Sequence, residues 1–423
     1  SFPVMTGEGR SNTPWRSSIR SRGVPENFRP FADPVNSRLV LIVAGEASAD
    51  LHGSHLVAAL KRLDPGLTFW GIGGSQLQEA GVRILFNSSD LAVVGLTEGF
   101  SRLATLTRAY LTRKGLLRKE RPALLILMDY PDFNLRLARA AKRFHVPVLY
   151  YISPQVWAWR KGRVETIRRC VDRMAVILPF EKDFYQERGV RVEHVGHPLL
   201  EEIPEGLKAK QTRGELGLDQ ASPVLALLPG SRKEEVANLL PVMIEAAEKI
   251  RSKHPGLKCL LPRASTIPSE WLEVILRRFS LDVQVTQGDV HRVLKASDLA
   301  LVASGTATLE AAILETPMVI VYRVSPLSYW IGRRVISVPF IGLVNLVAGE
   351  EVVPELIQGD VTPERLAQEA LHILEHDDRR NDMVRKLGVL KTMLGQGSAS
   401  ERTARIALEV MEASSSGGGL EKR

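Results

Sequence analysis

The residues in this chain best placed to do chemistry stand just after short apolar runs. Asp129 follows Leu124–Met128, a run too short for a helix and suited to a buried strand. A carboxylate at the carboxyl end of such a strand can take a proton from an attacking hydroxyl. A turn or cap is the other use of an aspartate there. Leu228-Pro229-Gly230-Ser231-Arg232 sets Gly230 and Ser231 between a strand and a helix, with Arg232 able to fork onto a phosphate. Ser304-Gly305-Thr306 repeats the pattern after Leu299–Ala303, and Glu310 lies one turn into the following helix. Small residues let that helix N-terminus approach a diphosphate, and a carboxylate beyond it can accept ribose hydroxyls. His52/His55 and His194/His197 share a three-residue spacing, but neither pair has a third ligand at metal-site spacing, so no metal is expected.

The chain has no G-x-x-x-x-G-K-[ST] loop and no Asp-x-Asp pair, which disfavours a P-loop NTPase and a metal-held diphosphate. Helix dipoles and Arg232 would have to stabilise a leaving diphosphate. Two anion-binding loops in one half, opposed by Asp129 in the other, point to glycosyl transfer from a nucleotide sugar. An inverting transfer needs one general base, and Asp129 is the best-placed carboxylate; Asp132 suits a helix N-cap.

The elements that must position these residues form two successive α/β halves. Leu39–Ala44 reads as a buried strand, Gly45–Asp50 as a turn, and Leu56, Leu60 and Leu63 mark the face of the helix that follows. Leu124–Met128, a helix after Asp132, and Val146–Ile152 make one β-α-β unit whose chemistry should lie at the strands' carboxyl ends. Its second strand leads into Ser153-Pro154-Gln155-Val156-Trp157-Ala158-Trp159, which should open on the same crevice as Asp129. The polar stretch Glu201–Ser222 reads as a connector, and the rhythm restarts at Val224–Leu228 with further strands through Met318–Tyr322. The expected fold is α/β: two Rossmann-like domains, 38–200 and 201–395, facing each other across a cleft. A C-terminal helix and disordered tail would occupy 396–423, and residues 1–37 read as a disordered N-terminal tail.

A formal net charge of +8 fits a nucleic acid, an anionic membrane surface or a phosphorylated substrate. No zinc-finger spacing and no basic-aromatic RNA-binding motif is present, so nucleic acid is disfavoured. No uncharged apolar run reaches the roughly 18–20 residues that a membrane-spanning helix needs. Leu96, Phe100, Leu103, Leu106 and Tyr110 recur at helical spacing, with arginines and lysines crowding the remainder up to Arg121. Such a stripe either packs on the sheet or lies on an anionic bilayer with its apolar face down.

Eight collinear segments, among them AGEASAD (Ala44–Asp50), LMDYPDFN (Leu127–Asn134), YYISPQVWAWRKGRV (Tyr150–Val164), LLPGSR (Leu227–Arg232) and ASGTATLE (Ala303–Glu310), resemble bacterial lipid-A-disaccharide synthases. The resemblance covers roughly residues 38–395. It implies a GT-B fold and a metal-independent, inverting transfer without a cofactor. The donor would be UDP-2,3-diacylglucosamine and the acceptor 2,3-diacylglucosamine 1-phosphate, giving UDP and a β-1,6-linked disaccharide 1-phosphate. Asp129 would be the base and Arg232 a donor-phosphate contact, with Gly230, Ser231, Ser304, Gly305, Thr306 and Glu310 holding UDP. Asn345 would lie in the donor-side loop, and Glu46, Ser48 and Trp157 would line the acceptor side. The stripe Leu96, Phe100, Leu103 and Leu106 would receive acyl chains at the cytoplasmic face of the inner membrane, and the family often forms homodimers. Two departures, Ala49 for glycine and Val344 for proline, are expected to tilt the first loop and loosen the second.

Overall fold

A computed structural model describes residues 38–87, 117–158, 161–325, 329–330 and 338–417. The first seven strands are β1 (Leu39–Ala44), β2 (Thr68–Gly73), β3 (Arg83–Asn87), β4 (Leu124–Met128), β5 (Val148–Tyr151), β6 (Arg173–Val176) and β7 (Val192–His194). They form one sheet in the order β3-β2-β1-β4-β5-β6-β7, every pair parallel. A second all-parallel sheet takes β8 (Val224–Leu228), β9 (Lys258–Arg263), β10 (Val283–Gln287), β11 (Leu299–Ala303), β12 (Met318–Tyr322) and β13 (Glu355–Ile357) in the order β10-β9-β8-β11-β12-β13.

The apolar runs are strands because both of their faces are covered. Leu39, Leu41, Val43, Leu125 and Leu127 enter one core of the first sheet; Val40, Ile42, Ala44, Leu124, Ile126 and Met128 enter the other. The alternation is the period of two that a strand imposes, and burial on both sides explains why no polar residue interrupts the run. β3 and β13 were not legible in the sequence. They are edge strands, five and three residues long, and neither has the fully buried pattern of a central strand.

Each sheet has one place where its winding reverses. β1 is followed by β2 and β3 to one side, then by β4 on the other; β8 is followed by β9 and β10, then by β11 on the other. The loops leaving β1 and β4 therefore diverge from a shared crevice, as do those leaving β8 and β11. The register brings the strand ends level, Ala44 with Met128 and Leu228 with Val302.

The chain passes between the halves twice. Val195–Leu199 leads out, through the short helices Leu199–Glu202 and Ala209–Glu215 of the polar connector; Leu394–Ser398 leads back. The crossings touch. His197 N–H donates to Leu394 O at 2.8 Å, and Gly196 and Gly395, both at positive φ, lie so close that a Cβ on Gly395 would sit 3.0 Å from Gly196 Cα. The returning helix Ala399–Gly417 then packs on the first sheet, where Ala404, Ile406, Ala407 and Val410 share a core with Ile42, Leu56 and Leu60. It runs through Ser414–Ser416, which the sequence reading assigned to a disordered tail. Glu201 clamps its start, accepting Ser400 N–H and O–H at 2.7 Å each. Among the described residues no helix is long and apolar enough to cross a membrane.

Ala49 does not strain its loop. It lies inside the helix Ala47–Leu63, buried, with no positive φ. Asp50 beside it accepts backbone N–H groups from Gly74, Gln76 and Leu77 at 2.5, 3.0 and 3.4 Å, tying that helix to the start of Ser75–Glu79. Asp50→Ala leaves three amides unmatched and is expected to lower unfolding free energy by about 3 kcal/mol in urea denaturation.

Candidate active site

The first crevice is built around two strained residues. Asp129 and Tyr130 are both left-handed, at φ 49° and 42°, a conformation costing about 1–2 kcal/mol for a residue with a Cβ. Three partners hold it. Asp129 O accepts Tyr150 O–H at 2.5 Å and Asn134 Nδ2–H at 2.6 Å, and Asp129 N–H donates to Ile152 O at 3.4 Å. Complete burial pushes the Tyr150 hydroxyl well above its usual value, so it remains a proton donor. Asn134 also donates to Met128 O, joining the strand end to the helix Pro131–Arg143. Tyr130 is the N-cap of that helix and Pro131 its first residue, which moves Asp132 into the first turn, where it pairs with Arg163. Asp132 therefore does not cap the helix as expected.

The Asp129 carboxyl is left for the crevice. Burial raises it above the ordinary aspartate range, with the Tyr130 N–H partly opposing. Glu46 stands at the N-cap of Ala47–Leu63 without a capping hydrogen bond. It too is raised, first by desolvation and then by the negative charge of Asp129, while Arg232 of the second half lowers it. Glu46 thus lies within the fields of a carboxylate on its own half and a guanidinium on the other. Ser48 is exposed in the first turn of the same helix.

In the second crevice the expected anion cradle already holds a carboxylate. Gly230, at φ 111°, turns the chain so that Ser231 N–H and Arg232 N–H reach Glu235 Oε2 at 3.2 and 3.4 Å. A Cβ on Gly230 would lie 2.4 Å from that oxygen. Arg232 Nη1 donates to Glu235 Oε1 at 2.9 Å, and its side chain remains 80% exposed, so a stronger anion can recruit it. At the end of β11, Gly305 has no atom near its would-be Cβ and Thr306 opens the helix Thr306–Ile313, leaving the N-terminus accessible. Ser304 stays close by, its Oγ 3.4 Å from Ile341 O. Glu310 faces His291, whose buried Nε2 has no hydrogen-bond partner and lies 3.7 Å from Glu310 Oε1.

Two expected contacts lie elsewhere. Asn345 is fully buried, and its amide is saturated: Nδ2 donates to Val353 O and Glu355 Oε1, and Oδ1 accepts Val352 N–H and Val353 N–H, all within 2.8–3.0 Å. It organises the segment around Gly342–Glu355 and has nothing left for a ligand. Val344 beside it is buried in the helix Leu343–Ala348, which supplies the rigidity a proline would have given. Trp157 is only 6% exposed; its indole stacks edge-on against Phe180 at 4.9 Å and donates to Glu181 Oε1 at 3.0 Å. It packs into the cluster that holds the second sheet's core instead of lining an open cleft. Leu96, Phe100, Leu103 and Leu106 lie outside the described residues.

His291, Glu235 and Glu181 were missed. For the last two a signal existed: each is the third residue of its helix, where a carboxylate reaches back to the cap. Three of the four paired histidines face other groups, and the buried His55 Nδ1 makes no hydrogen bond. His52 Nδ1 lies 2.9 Å from Glu202 without an aligned hydrogen bond. His194 Nε2 sits 3.3 Å from Ile177 O, and His197 Nδ1 accepts Leu199 N–H, its pKa lowered by burial to about 3.

Two Rossmann-like sheets with opposed switch-point crevices, one carrying carboxylates and the other an arginine and an open helix N-terminus, define a GT-B glycosyltransferase. Solved structures share this fold: Acinetobacter baumannii MurG has a TM-score of 0.57 at 12% identity, covering 88% of this chain and 100% of its own. The calicheamicin glycosyltransferase CalG4 gives 0.57 at 16%, covering 91% and 99%. A UDP-N-acetylglucosamine 2-epimerase from Listeria monocytogenes, described in its structure as putative, gives 0.61 at 14%, covering 89% and 98%. The family model described as Lipid-A-disaccharide synthetase matches residues 40–410. The lipid-A-disaccharide synthase of Syntrophus aciditrophicus is 50% identical over 90% of this chain and 100% of its own, and that of Geobacter sulfurreducens 48% over 89% and 98%. The chain belongs to the lipid-A-disaccharide synthase family, a family of lipid A biosynthesis.

Because Asp129 is held above its unfolded value, its contribution to stability is complete below the unfolded pKa and is lost as pH rises through the folded one. Its ionised form therefore works against the fold. Asp129→Asn should melt at a higher temperature than the parent at pH 8, with the difference closing in acid, as read by calorimetry at both pH values.

Proposed function

We propose that this glycosyltransferase carries out an inverting, metal-independent transfer of 2,3-diacylglucosamine from UDP-2,3-diacylglucosamine to 2,3-diacylglucosamine 1-phosphate. The observation that carries this reading is placement: Asp129 leaves the carboxyl end of a switch-point strand in one sheet, and Arg232 caps the helix that follows a switch-point strand of the other. Asp129 takes the proton of the acceptor's 6-hydroxyl while that oxygen attacks the anomeric carbon of the donor from the first crevice. The bond from the anomeric carbon to the diphosphate breaks, and its electron pair leaves with UDP. Raised by burial, the Asp129 carboxylate is a stronger base than a solvated aspartate and gains a proton readily.

On the donor side, Arg232 swings from Glu235 to the diphosphate, and the N-terminus of Thr306–Ile313, which no side chain caps, adds its dipole. Gly230, Ser231, Ser304 and Gly305 let the backbone approach, and Glu310 accepts ribose hydroxyls beside His291. Glu46 and Ser48 face the acceptor sugar from the first turn of Ala47–Leu63. The basic stretch with Leu96, Phe100, Leu103 and Leu106 supplies peripheral contact with the anionic inner-membrane surface and the acyl chains, on the grounds of its sequence pattern.

The test is a turnover assay with both substrates, no added metal, and EDTA, following UDP and the disaccharide 1-phosphate by mass. Both products are expected. Asp129→Asn should lose turnover by roughly a thousandfold, and Arg232→Ala should raise KM for the donor and lower kcat. UDP without disaccharide would remove the acceptor assignment; release only from UDP-N-acetylglucosamine would remove the donor. Normal turnover in Asp129→Asn would remove the base.

A further inference from the structure

Glu181 is an ionisable side chain buried close to the first crevice, 2% exposed, and the transfer chemistry above does not use it. Its place as third residue of Pro179–Gln186 accounts for one oxygen: Oε2 accepts the Leu178 N–H at 3.1 Å. The other oxygen turns away from its own helix. Oε1 accepts Ser153 O–H at 2.5 Å and Trp157 Nε1–H at 3.0 Å. A helix cap needs only the first of these bonds; the other two hold a different segment.

That segment leads straight to the base. Ser153 follows Ile152, itself left-handed at φ 61°, and Ile152 O accepts the Asp129 N–H. Tyr185 O–H reaches Pro154 O at 3.3 Å, fixing the middle of the segment from the same helix as Glu181. At the far end Trp157 and Ala158 enter the core shared with the second sheet. A displacement at Ser153 therefore acts on the backbone of Asp129 at one end and on the seam between the halves at the other.

We propose that Glu181 is a positioning residue for the transfer: by holding Ser153 and Trp157 it fixes, through Ile152, the left-handed backbone from which the Asp129 carboxylate reaches the acceptor. This rests on Asp129 being the base. The group is also poised to report on its own state. Burial pushes its pKa up to about 7, opposed only by its hydrogen bonds. Among the described residues the groups acting on it are uncharged donors and one phenol: the segment offers Ser153 and Trp157, the strand end offers the Ile177 and Leu178 amides, and Tyr185 is the titratable neighbour on its own helix. The protonated carboxyl loses the charge that holds both donors, so the segment should loosen as pH falls through this range.

The experiment measures kcat and donor KM between pH 5.5 and 8.5 for the full chain and for Glu181→Gln, Trp157→Phe and Asp129→Asn. Trp157 fluorescence, taken as the difference from Trp157→Phe, is followed over the same range. In the parent, kcat should fall as pH drops through about 7, with the Trp157 signal changing at the same midpoint. Glu181→Gln should remove both transitions and lower kcat about tenfold, with donor KM changed less than about twofold. Trp157→Phe deletes one donor to the carboxylate and should move the kcat midpoint to higher pH. A midpoint near 7 that survives in Glu181→Gln, or one unmoved in Trp157→Phe, overturns the proposal; the second variant decides the matter if the first does not fold. Asp129→Asn separates the two readings. It should lose turnover yet keep the Trp157 transition, whereas retained turnover would sink the base assignment and leave the Glu181 transition to be judged on its own.

Discussion

The structure depends on how a parallel sheet can reverse its winding. Strands added to one side and then to the other force the loops beside the first strand apart, and only there does an all-parallel sheet offer an open crevice at its carboxyl edge. The chain does this twice, between β1 and β4 and between β8 and β11. The proposed base and phosphate contacts follow: Glu46 and Asp129 leave the first pair, Arg232 and Thr306 the second. The proposed base stands on one edge and the proposed phosphate contact on the other, so the site exists only when the edges face each other.

Within that frame the energetic weak point is the backbone at Asp129. Two adjacent left-handed residues with side chains are unfavourable, and so is burying a carboxylate beside another. The surrounding bonds answer each cost separately. Tyr150, Asn134 and Ile152 over-determine the backbone, while Arg232 opposes the field that Asp129 puts on Glu46. The second crevice uses another device: Glu235 keeps the amides of Ser231 and Arg232 paired.

Much of this was legible in the sequence because the central strands are buried on both faces and read as unbroken apolar runs. The residues just past those runs, Asp129, Arg232 and Ser304–Thr306, stand in the loops that follow the central strands, as expected. Reading residue types went wrong where a polar or aromatic side chain is used internally. Asn345 looks like a ligand contact until its four hydrogen bonds are counted, and Trp157 looks exposed until Glu181 is seen to take its N–H. Asn345 satisfies a turn closed within ten residues and Trp157 a carboxylate 24 residues on, and neither pairing follows from a helix or strand period. His291 is illegible for the same reason: its relation to Glu310 joins two helices separated by β11.

The helix Ala399–Gly417 belongs by packing to the half that is made first. On a ribosome, Val40, Ile42, Leu56 and Leu60 emerge hundreds of residues before Ile406 and Val410 arrive to cover them. One face of the first sheet's core therefore stays open to water until the second sheet has been synthesised and the chain has crossed back beside Gly196. The late-closing face makes maturation of the first half contingent on the second, and it gives holdase chaperones an apolar surface to bind during that interval.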